Sequence, residues 1–208
     1  LRIAKVSPSK LTKLLITHWH GDHILGIPGL FQTLVMSDFN KELKVYGPKG
    51  TIEFISLFER LFKLKIKTEE KEVSNKFFET SEYYLESSQM KHGTPTLAYS
   101  FVIKDKLRID KNKLKKLNLP NSPLLKKLQE GKDISYNNKT IKASQVTYLE
   151  IGRKVTFILD TEMNKNAISL AKNSDLLICE STYTLEENQK AKEHLHLTAS
   201  EAATIAKK

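Results

Sequence analysis

The stretch Thr17-His18-Trp19-His20-Gly21-Asp22-His23 carries four candidate metal ligands within six positions. It follows the apolar run Leu14-Leu15-Ile16, which is typical of a buried strand, and precedes the pattern from Ile24 to Met36, which predicts a helix. The first two histidines are two residues apart, so they project to the same side of an extended backbone. Asp22 and His23 follow where the backbone turns and can face a second ion nearby. Imidazole and carboxylate ligands suit Zn²⁺, so the stretch predicts a zinc site at a strand-to-helix junction.

Strands and helices alternate along the rest of the chain. Leu43 to Tyr46 predicts a second strand, and Thr51 is the expected N-cap of the helix after it. The sequence between about 65 and 104 is rich in β-formers. Three more strands are expected near 145–150, 154–159 and 175–179, with helices near 165–172 and after the capping-box pattern that begins at Thr198. This alternation favours a layered α/β domain.

Composition excludes several classes of protein. The chain has 208 residues, of which 39% are hydrophobic, enough for the core of a single domain. No apolar run approaches the roughly 18 residues of a membrane span. The single cysteine, Cys179, cannot form an internal disulfide, and we expect it to be a small buried side chain rather than a nucleophile or ligand. We therefore expect a cytoplasmic protein without a membrane partner.

A basic segment accounts for most of the net charge. The chain has 34 Lys and Arg residues against 24 acidic residues, a formal charge of +10. Between Lys104 and Lys139 there are eleven basic residues against four acidic ones, two prolines and, we expect, little that could form a core. We interpret residues 104–140 as a protruding arm, and the net charge of the whole chain suits a polyanionic partner such as nucleic acid. An alternative is a solvated surface that reflects the lysine-rich composition of the whole chain.

Two further residues are placed as a metal site requires. His92 lies where the β-rich region leads into Gly93, and Asp160 ends the strand predicted near 154–159. Carboxylates at strand ends commonly point into a shared crevice in α/β proteins. Taken singly, both would more often be ordinary turn or capping residues, so their significance depends on the histidine cluster.

Several longer stretches carry a family resemblance. They are Ile16 to Leu30, Tyr46 to Gly50, His92 to Tyr99, Ser174 to Tyr183 and His196 to Ala203. In this order the sequence resembles the ribonuclease Z (tRNA 3′-processing endonuclease) family of the metallo-β-lactamase superfamily. The resemblance covers nearly the whole chain. It implies a four-layer αββα sandwich over residues 1–208, with the arm at 104–140 inserted as a tRNA-binding exosite.

The resemblance also implies roles for individual residues. One Zn²⁺ would be held by His18, His20 and His92. A second would be held by Asp22 and His23, with Asp160 bridging the two ions. Water activated between the zinc ions would attack phosphorus in precursor tRNA. Glu180 would orient His196, which in its protonated form would neutralise the departing 3′-oxygen.

The remaining implications concern the substrate, the arm and the assembly. The resemblance implies Asp22, Glu180 and His196 as the catalytic set, precursor tRNA as the substrate and a homodimer as the assembly, although the sequence itself does not demonstrate an oligomer. His194 matches no family position and is expected to be a solvated neighbour. The implied RNA-binding residues are Lys111, Lys113, Lys115, Lys116, Lys126 and Lys127.

The chain also departs from the family pattern. Asn121-Ser122-Pro123 stands where the arm usually has a Gly-Pro pair, Cys179 stands where the family usually has His, and Leu159 replaces a usual Gly. The opening strands and the closing segment, which carries the last histidine ligand of the second zinc, have no counterpart. We therefore expect a domain that lacks N- and C-terminal parts, with an incomplete second metal site and first sheet.

Two other functions are compatible with these residues. One is a hydrolase of a small phosphodiester, thioester or lactam on the same fold, which would have no evident use for a basic arm. The other is a non-catalytic RNA-binding relic. It is disfavoured because every matched ligand position keeps a residue type that can bind metal.

Overall fold

Two β-sheets are stacked on one another in this computed structural model, which describes residue 3 and residues 5–207. The described strands are β1 (Lys13–Leu15), β2 (Leu43–Gly47), β3 (Thr68–Glu72), β4 (Asn75–Glu79), β5 (Tyr83–Met90), β6 (Thr96–Ile103), β7 (Lys106–Ile109), β8 (Ile134–Tyr136), β9 (Lys139–Ile141), β10 (Thr147–Glu150), β11 (Arg153–Ile158) and β12 (Leu176–Cys179). The described helices are α1 (Gly21–Ile24), α2 (Gly26–Met36), α3 (Thr51–Phe62), α4 (Lys111–Lys116), α5 (Leu124–Gln129), α6 (Ala143–Val146), α7 (Lys165–Ala171), α8 (Asn188–His194) and α9 (Ala199–Ala206).

The first sheet is parallel and is covered by helices α2 and α3. Its strand order is β1-β2-β3. Phe31 and Leu34 of α2, Ile55 of α3, and Leu43 and Val45 of β2 are fully buried in one cluster. Burial of each such side chain contributes about 1.5–3 kcal/mol relative to exposure, so this cluster fixes the helices on the sheet.

The second sheet is mixed and is covered by helices α7 and α9. Its order is β12-β11-β6-β5-β4, with β11 and β12 parallel and the other neighbours antiparallel. Ala98 of β6, Ile158 of β11, Ala167 and Leu170 of α7, and Ile205 of α9 share a buried cluster.

Aromatic side chains join the inner faces of the two sheets. The rings of Tyr46 and Phe77 lie 5.0 Å apart, and those of Phe77 and Tyr99 lie 5.9 Å apart. The Tyr99 hydroxyl donates a 2.6 Å hydrogen bond to the carbonyl of Ile16, and burial raises the pKa of Tyr99 well above its usual range. The order helix, sheet, sheet, helix confirms the predicted αββα fold class.

Two local predictions need correction. The helix expected from Ile24 to Met36 is divided, because α1 ends at Ile24 and α2 begins at Gly26. Gly50, not Thr51, is the N-cap of α3, with a φ of 98° that favours glycine. The hydroxyl of Thr51 instead donates to the carbonyl of Pro48 at 2.6 Å. The side-chain hydrogen bond that closes the turn after β2 therefore comes from Thr51, the first residue of α3, and not from its N-cap.

The basic arm has a core of its own, so the expectation that it contains little that could form one is wrong. Strands β7 and β10 form its base as an antiparallel pair, and β8 and β9 form a hairpin. Its buried cluster consists of Leu114, Leu119, Leu128, Ile134, Ile141, Ala143 and Val146. The last three of these lie beyond the predicted end of the arm at residue 140. These apolar residues are spaced among lysines, so the net charge of the segment did not predict that they form a core.

Within the described part of the chain, no helix has the length and apolar character needed to cross a bilayer.

Candidate metal centre

Strand ends bring the predicted site residues to one edge of the sandwich. The histidine stretch follows β1, and His92 follows β5. Asp160 and Glu180 follow the parallel strands β11 and β12, whose carboxyl ends meet at the same edge. The backbone N–H of Leu97 donates to the carbonyl of Thr17 at 2.8 Å and ties the two sheets together there. This edge is where side chains distant in sequence converge.

Three histidines form the first group of ligand atoms. One ring nitrogen from each of His18, His20 and His92 lies within 4.8 Å of the others. Nε2 of His92 and Nδ1 of His20 are 3.1 Å apart. Three imidazole nitrogens at this separation form a ligand set that suits a divalent transition metal.

The Asp160 carboxylate lies at the middle of the histidines. Its Oδ2 atom is 3.3 Å from Nε2 of His23 and 3.6 Å from Nε2 of His18. The same oxygen is 3.9 Å from Nε2 of both His92 and His196. Asp160 therefore contacts both the three-histidine group and His23, which is the position a bridging carboxylate needs.

His18 provides a test of whether the residues fit a metal. Its side chain is fully buried, and Nε2 is the one buried side-chain polar atom in the described residues that has no hydrogen-bond partner. Burial, with the nearby His23 as second cause, lowers the pKa of His18 to about 4, so the ring is neutral near pH 7. A buried polar atom left unpaired costs about 1–3 kcal/mol. A cation at this nitrogen would remove that cost, so the residues fit a divalent metal.

Asp22 lies at the rim of the site. Its side chain is 78% exposed in the first turn of α1, and its Oδ2 atom is 3.4 Å from Nε2 of His23. It does not join a group of three ligand atoms within the described residues. The structure thus brings five of the six predicted metal ligands together and leaves Asp22 beside His23 only.

Glu180 and His196 form a hydrogen-bonded pair next to the histidine cluster. Nδ1 of His196 is 3.0 Å from Oε1 and 3.2 Å from Oε2 of Glu180. The carboxylate also accepts hydrogen bonds from the backbone N–H of Thr161 at 2.7 Å and the hydroxyl of Thr182 at 2.6 Å. These bonds fix the carboxylate, which fixes the imidazole with Nε2 directed towards Asp160.

Two residues that sequence reasoning did not single out hold the ligands in place. The Thr161 hydroxyl accepts a 3.1 Å bond from the backbone N–H of Lys91, next to His92. The carbonyl of Leu195 lies 3.0 Å from Nδ1 of His92, and Leu195 has a positive φ of 57°. Such outer contacts orient metal-binding histidines. Adjacency to Asp160 and His196 was the only sequence signal for these two residues.

The other predicted residues lie away from the histidine cluster or at its margin. His194 is exposed, and its ring is parallel to that of Tyr183 at 6.2 Å. Cys179 is half-buried against the core of the second sheet, and burial raises the pKa of its thiol to about 11. The six predicted RNA-binding lysines are all exposed on α4 and α5, and they are Lys111, Lys113, Lys115, Lys116, Lys126 and Lys127.

Several known proteins are similar to this chain in sequence or in fold. The Metallo-beta-lactamase superfamily model matches residues 1–88. Ribonuclease Z of Nanoarchaeum equitans is 38% identical over 99% of this chain and 66% of its own length. Ribonuclease Z of Pyrococcus abyssi is 36% identical over 100% of this chain and 69% of its own length. The crystal structure of human tRNase Z, short form, matches with a TM-score of 0.64 at 21% identity, over 98% of this chain and 70% of that one. The chain spans about two thirds of the length of these relatives.

Proposed function

Since the chain belongs to the ribonuclease Z family within the metallo-beta-lactamase superfamily, we propose that it cleaves precursor tRNA at its 3′ side and releases the trailer. Membership confirms the predicted family and agrees with the predicted class of enzyme, a metal-dependent endoribonuclease. One observation carries the proposal for this chain: the carboxylate of Asp160 lies within 3.9 Å of ring nitrogens from four histidines at one edge of the sandwich.

The proposed metal is zinc, with two ions in each subunit. His18, His20 and His92 would hold the first ion, Asp22 and His23 would hold the second, and Asp160 would contact both. When bound, the ions would supply a water activated for attack on phosphorus and would neutralise charge on the phosphate. Among the described residues the second ion has fewer nitrogen ligands than the first, so we expect this chain to bind it more weakly.

The chain's own contribution to bond breaking is the Glu180–His196 pair. A protonated His196 would donate to the 3′-oxygen of the tRNA as that oxygen departs, leaving a 3′-hydroxyl on the tRNA and a 5′-phosphate on the trailer. The geometry supports this role because the Glu180 carboxylate, 3.0 Å from Nδ1 of His196, holds the ring with Nε2 directed towards Asp160 at the metal centre.

The arm is proposed to bind the elbow of the tRNA. All six predicted lysines project from a packed unit whose core is separate from the cores of the two sheets. Lysines held on a folded projection can neutralise phosphates without reading bases, so we expect binding that depends on RNA shape and on salt. A hydrolase of small substrates would gain nothing from this projection.

Assembly and location remain proposals. Apolar side chains are exposed together beside α2 and α3, which cover the first sheet: Leu25 just before α2, and Leu61 and Phe62 of α3. An isologous contact between two copies would cover this patch, and we propose it as the interface of a homodimer. The proposed location is the cytoplasm.

Product analysis tests the proposed function. Precursor tRNA labelled at both ends is incubated with the zinc-loaded protein, and the ends created by cleavage are identified. We expect a single cut at the 3′ side, a 3′-hydroxyl on the tRNA and a 5′-phosphate on the trailer. Cuts at scattered positions, or a 3′-phosphate on the tRNA, would contradict the proposal.

A further inference from the structure

A polar cleft of about 490 Å³ opens between the two sheets. Its walls are the turn after β2 (Pro48 and Lys49), the link between β3 and β4 (residues 73–75), and the ends of β5 and β6 that flank His92. Its volume lies within the range of about 300–1,000 Å³ that is usual for sites that bind small molecules. Neither the metal ligands nor the arm accounts for it.

The cleft lies on the same edge of the sandwich as the metal centre. Because β1 and β2 are parallel, the histidine stretch after β1 and the turn after β2 emerge at one edge. Nε1 of Trp19, between two of the ligands, donates to the Thr51 hydroxyl at 3.3 Å and joins the stretch to that turn. Gln89, in the cleft wall, is three residues before His92. A chain lying in the cleft would therefore continue into the metal centre.

The order of strands places the cleft opposite the proposed acid. In the second sheet Glu180 follows β12 at one side, whereas residue 75 begins β4 at the other. His92 and Asp160 follow β5 and β11, between these two sides. If the tRNA 3′-oxygen departs at His196, the other substituent of the phosphate, the first trailer nucleoside, extends away from His196 and towards the cleft.

The lining chemistry suits single-stranded RNA. Ser74, Ser88, Gln89 and Asn166 offer hydroxyl and amide groups, and no lining residue is acidic. Lys49 adds one exposed ammonium group that has no carboxylate partner within 4.0 Å among the described residues. Hydroxyl and amide groups can bond base edges and the ribose 2′-hydroxyl, and an ammonium group can contact a phosphate.

We propose that this cleft, named here the trailer cleft, binds the first nucleotides of the RNA trailer on the downstream side of the cut. The inference rests on the proposed function and on the side of the site assigned to His196. It adds a binding site for the released product, separate from the arm that holds the body of the tRNA.

The test compares two substrates that differ only downstream of the cut. One is a precursor tRNA with a trailer of several nucleotides. In the other a methyl group replaces the whole trailer on the same phosphate. The variants are Lys49→Ala and Gln89→Ala, and the matched control is Lys65→Ala, an exposed lysine before β3 and so at the opposite edge of the first sheet.

We expect each cleft variant to lower kcat/KM roughly tenfold for the trailer substrate and to leave the methyl ester unchanged. On the trailer substrate, log kcat/KM should also decrease less steeply with log salt for Lys49→Ala, the slope being smaller in magnitude by about 1. Lys65→Ala should change neither substrate. Equal losses on both substrates, or no loss on either, would overturn the inference.

A crosslinking measurement does not depend on any variant. A precursor tRNA with 4-thiouridine at the first or second trailer position is irradiated with the protein, and the linked peptides are identified. We expect links to residues 48–49, 73–75 or 87–89, and links confined to the arm or to α8 would overturn the inference. If the wild-type protein cleaves neither substrate, the proposed function itself fails. That result differs from the outcomes that overturn only the trailer cleft, in which the wild-type protein is active.

Discussion

The buried core of the arm gives a direct way to separate tRNA binding from chemistry. Leu128 is 0% exposed and packs in the arm cluster with Leu114, Ile134 and Val146. Replacing a fully buried leucine by alanine costs about 2–5 kcal/mol, from lost burial and the cavity left behind. That cost lowers the folding equilibrium of the structure it supports by roughly 30-fold or more. The arm joins the rest of the protein through the paired strands β7 and β10, so we expect Leu128→Ala to loosen the arm locally.

The assay compares two substrates of the zinc-loaded protein. For Leu128→Ala we expect KM for precursor tRNA to rise at least tenfold, while hydrolysis of bis(p-nitrophenyl) phosphate keeps its rate within about twofold. Amide hydrogen exchange should become faster across residues 106–150 and stay unchanged in the two sheets. The matched control is Leu117→Ala in the same arm, which removes a side chain that is 44% exposed and should shift stability by no more than about 0.5 kcal/mol.

Two outcomes would refute this reasoning. Equal losses on both substrates would show that the arm does not unfold separately from the metal centre. Faster exchange in the arm with unchanged cleavage of precursor tRNA would show that the folded arm is not needed for binding.

The remaining predictions concern the site and its margin. Asp22→Ala should abolish cleavage. Because the arm is intact in this variant, tRNA binding measured by fluorescence anisotropy should change less than about threefold. Loss of binding would contradict the role of Asp22 as a metal ligand. His196→Ala should slow precursor tRNA cleavage by about 100-fold or more and bis(p-nitrophenyl) phosphate hydrolysis far less, since only the alkoxide leaving group needs a proton; equal slowing would exclude the acid role. Burial raises the pKa of Cys179 from 9.0 to about 11, so at pH 8 its thiolate fraction is about 100-fold smaller than that of a thiol of pKa 9.0. Its reaction with iodoacetamide should be slower by the same factor. Rapid alkylation of the folded protein would contradict the burial of this thiol.

The sequence was most informative where local pattern determines the structure. His18 to His23 lie close in sequence, so their convergence follows from one strand end and one turn. The order of elements and the position of Asp160 after a strand also follow from short-range patterns. The capping box from Thr198 to Glu201 is present as predicted, because both of its hydrogen bonds are local.

Contacts between distant segments could not be predicted from pattern. Thr161 contacts Lys91 and Glu180, which lie 70 and 19 residues away, and Leu195 contacts His92 across 103 residues. The core of the arm was missed because its apolar residues occur in short helices and strands that are dominated by lysines. Thr51 was predicted as a cap because its residue type suits that position, whereas the positive φ of Gly50 placed the cap one residue earlier.

Metal dependence tests the central claim most directly. The protein is stripped with a chelator, dialysed, and assayed on precursor tRNA before and after addition of zinc, with zinc content measured on the same samples. We predict no cleavage by the stripped protein, with recovery of the single 3′ cut as zinc is restored and with unchanged tRNA binding throughout. Full cleavage by a protein shown to hold no zinc or other divalent metal would contradict the account.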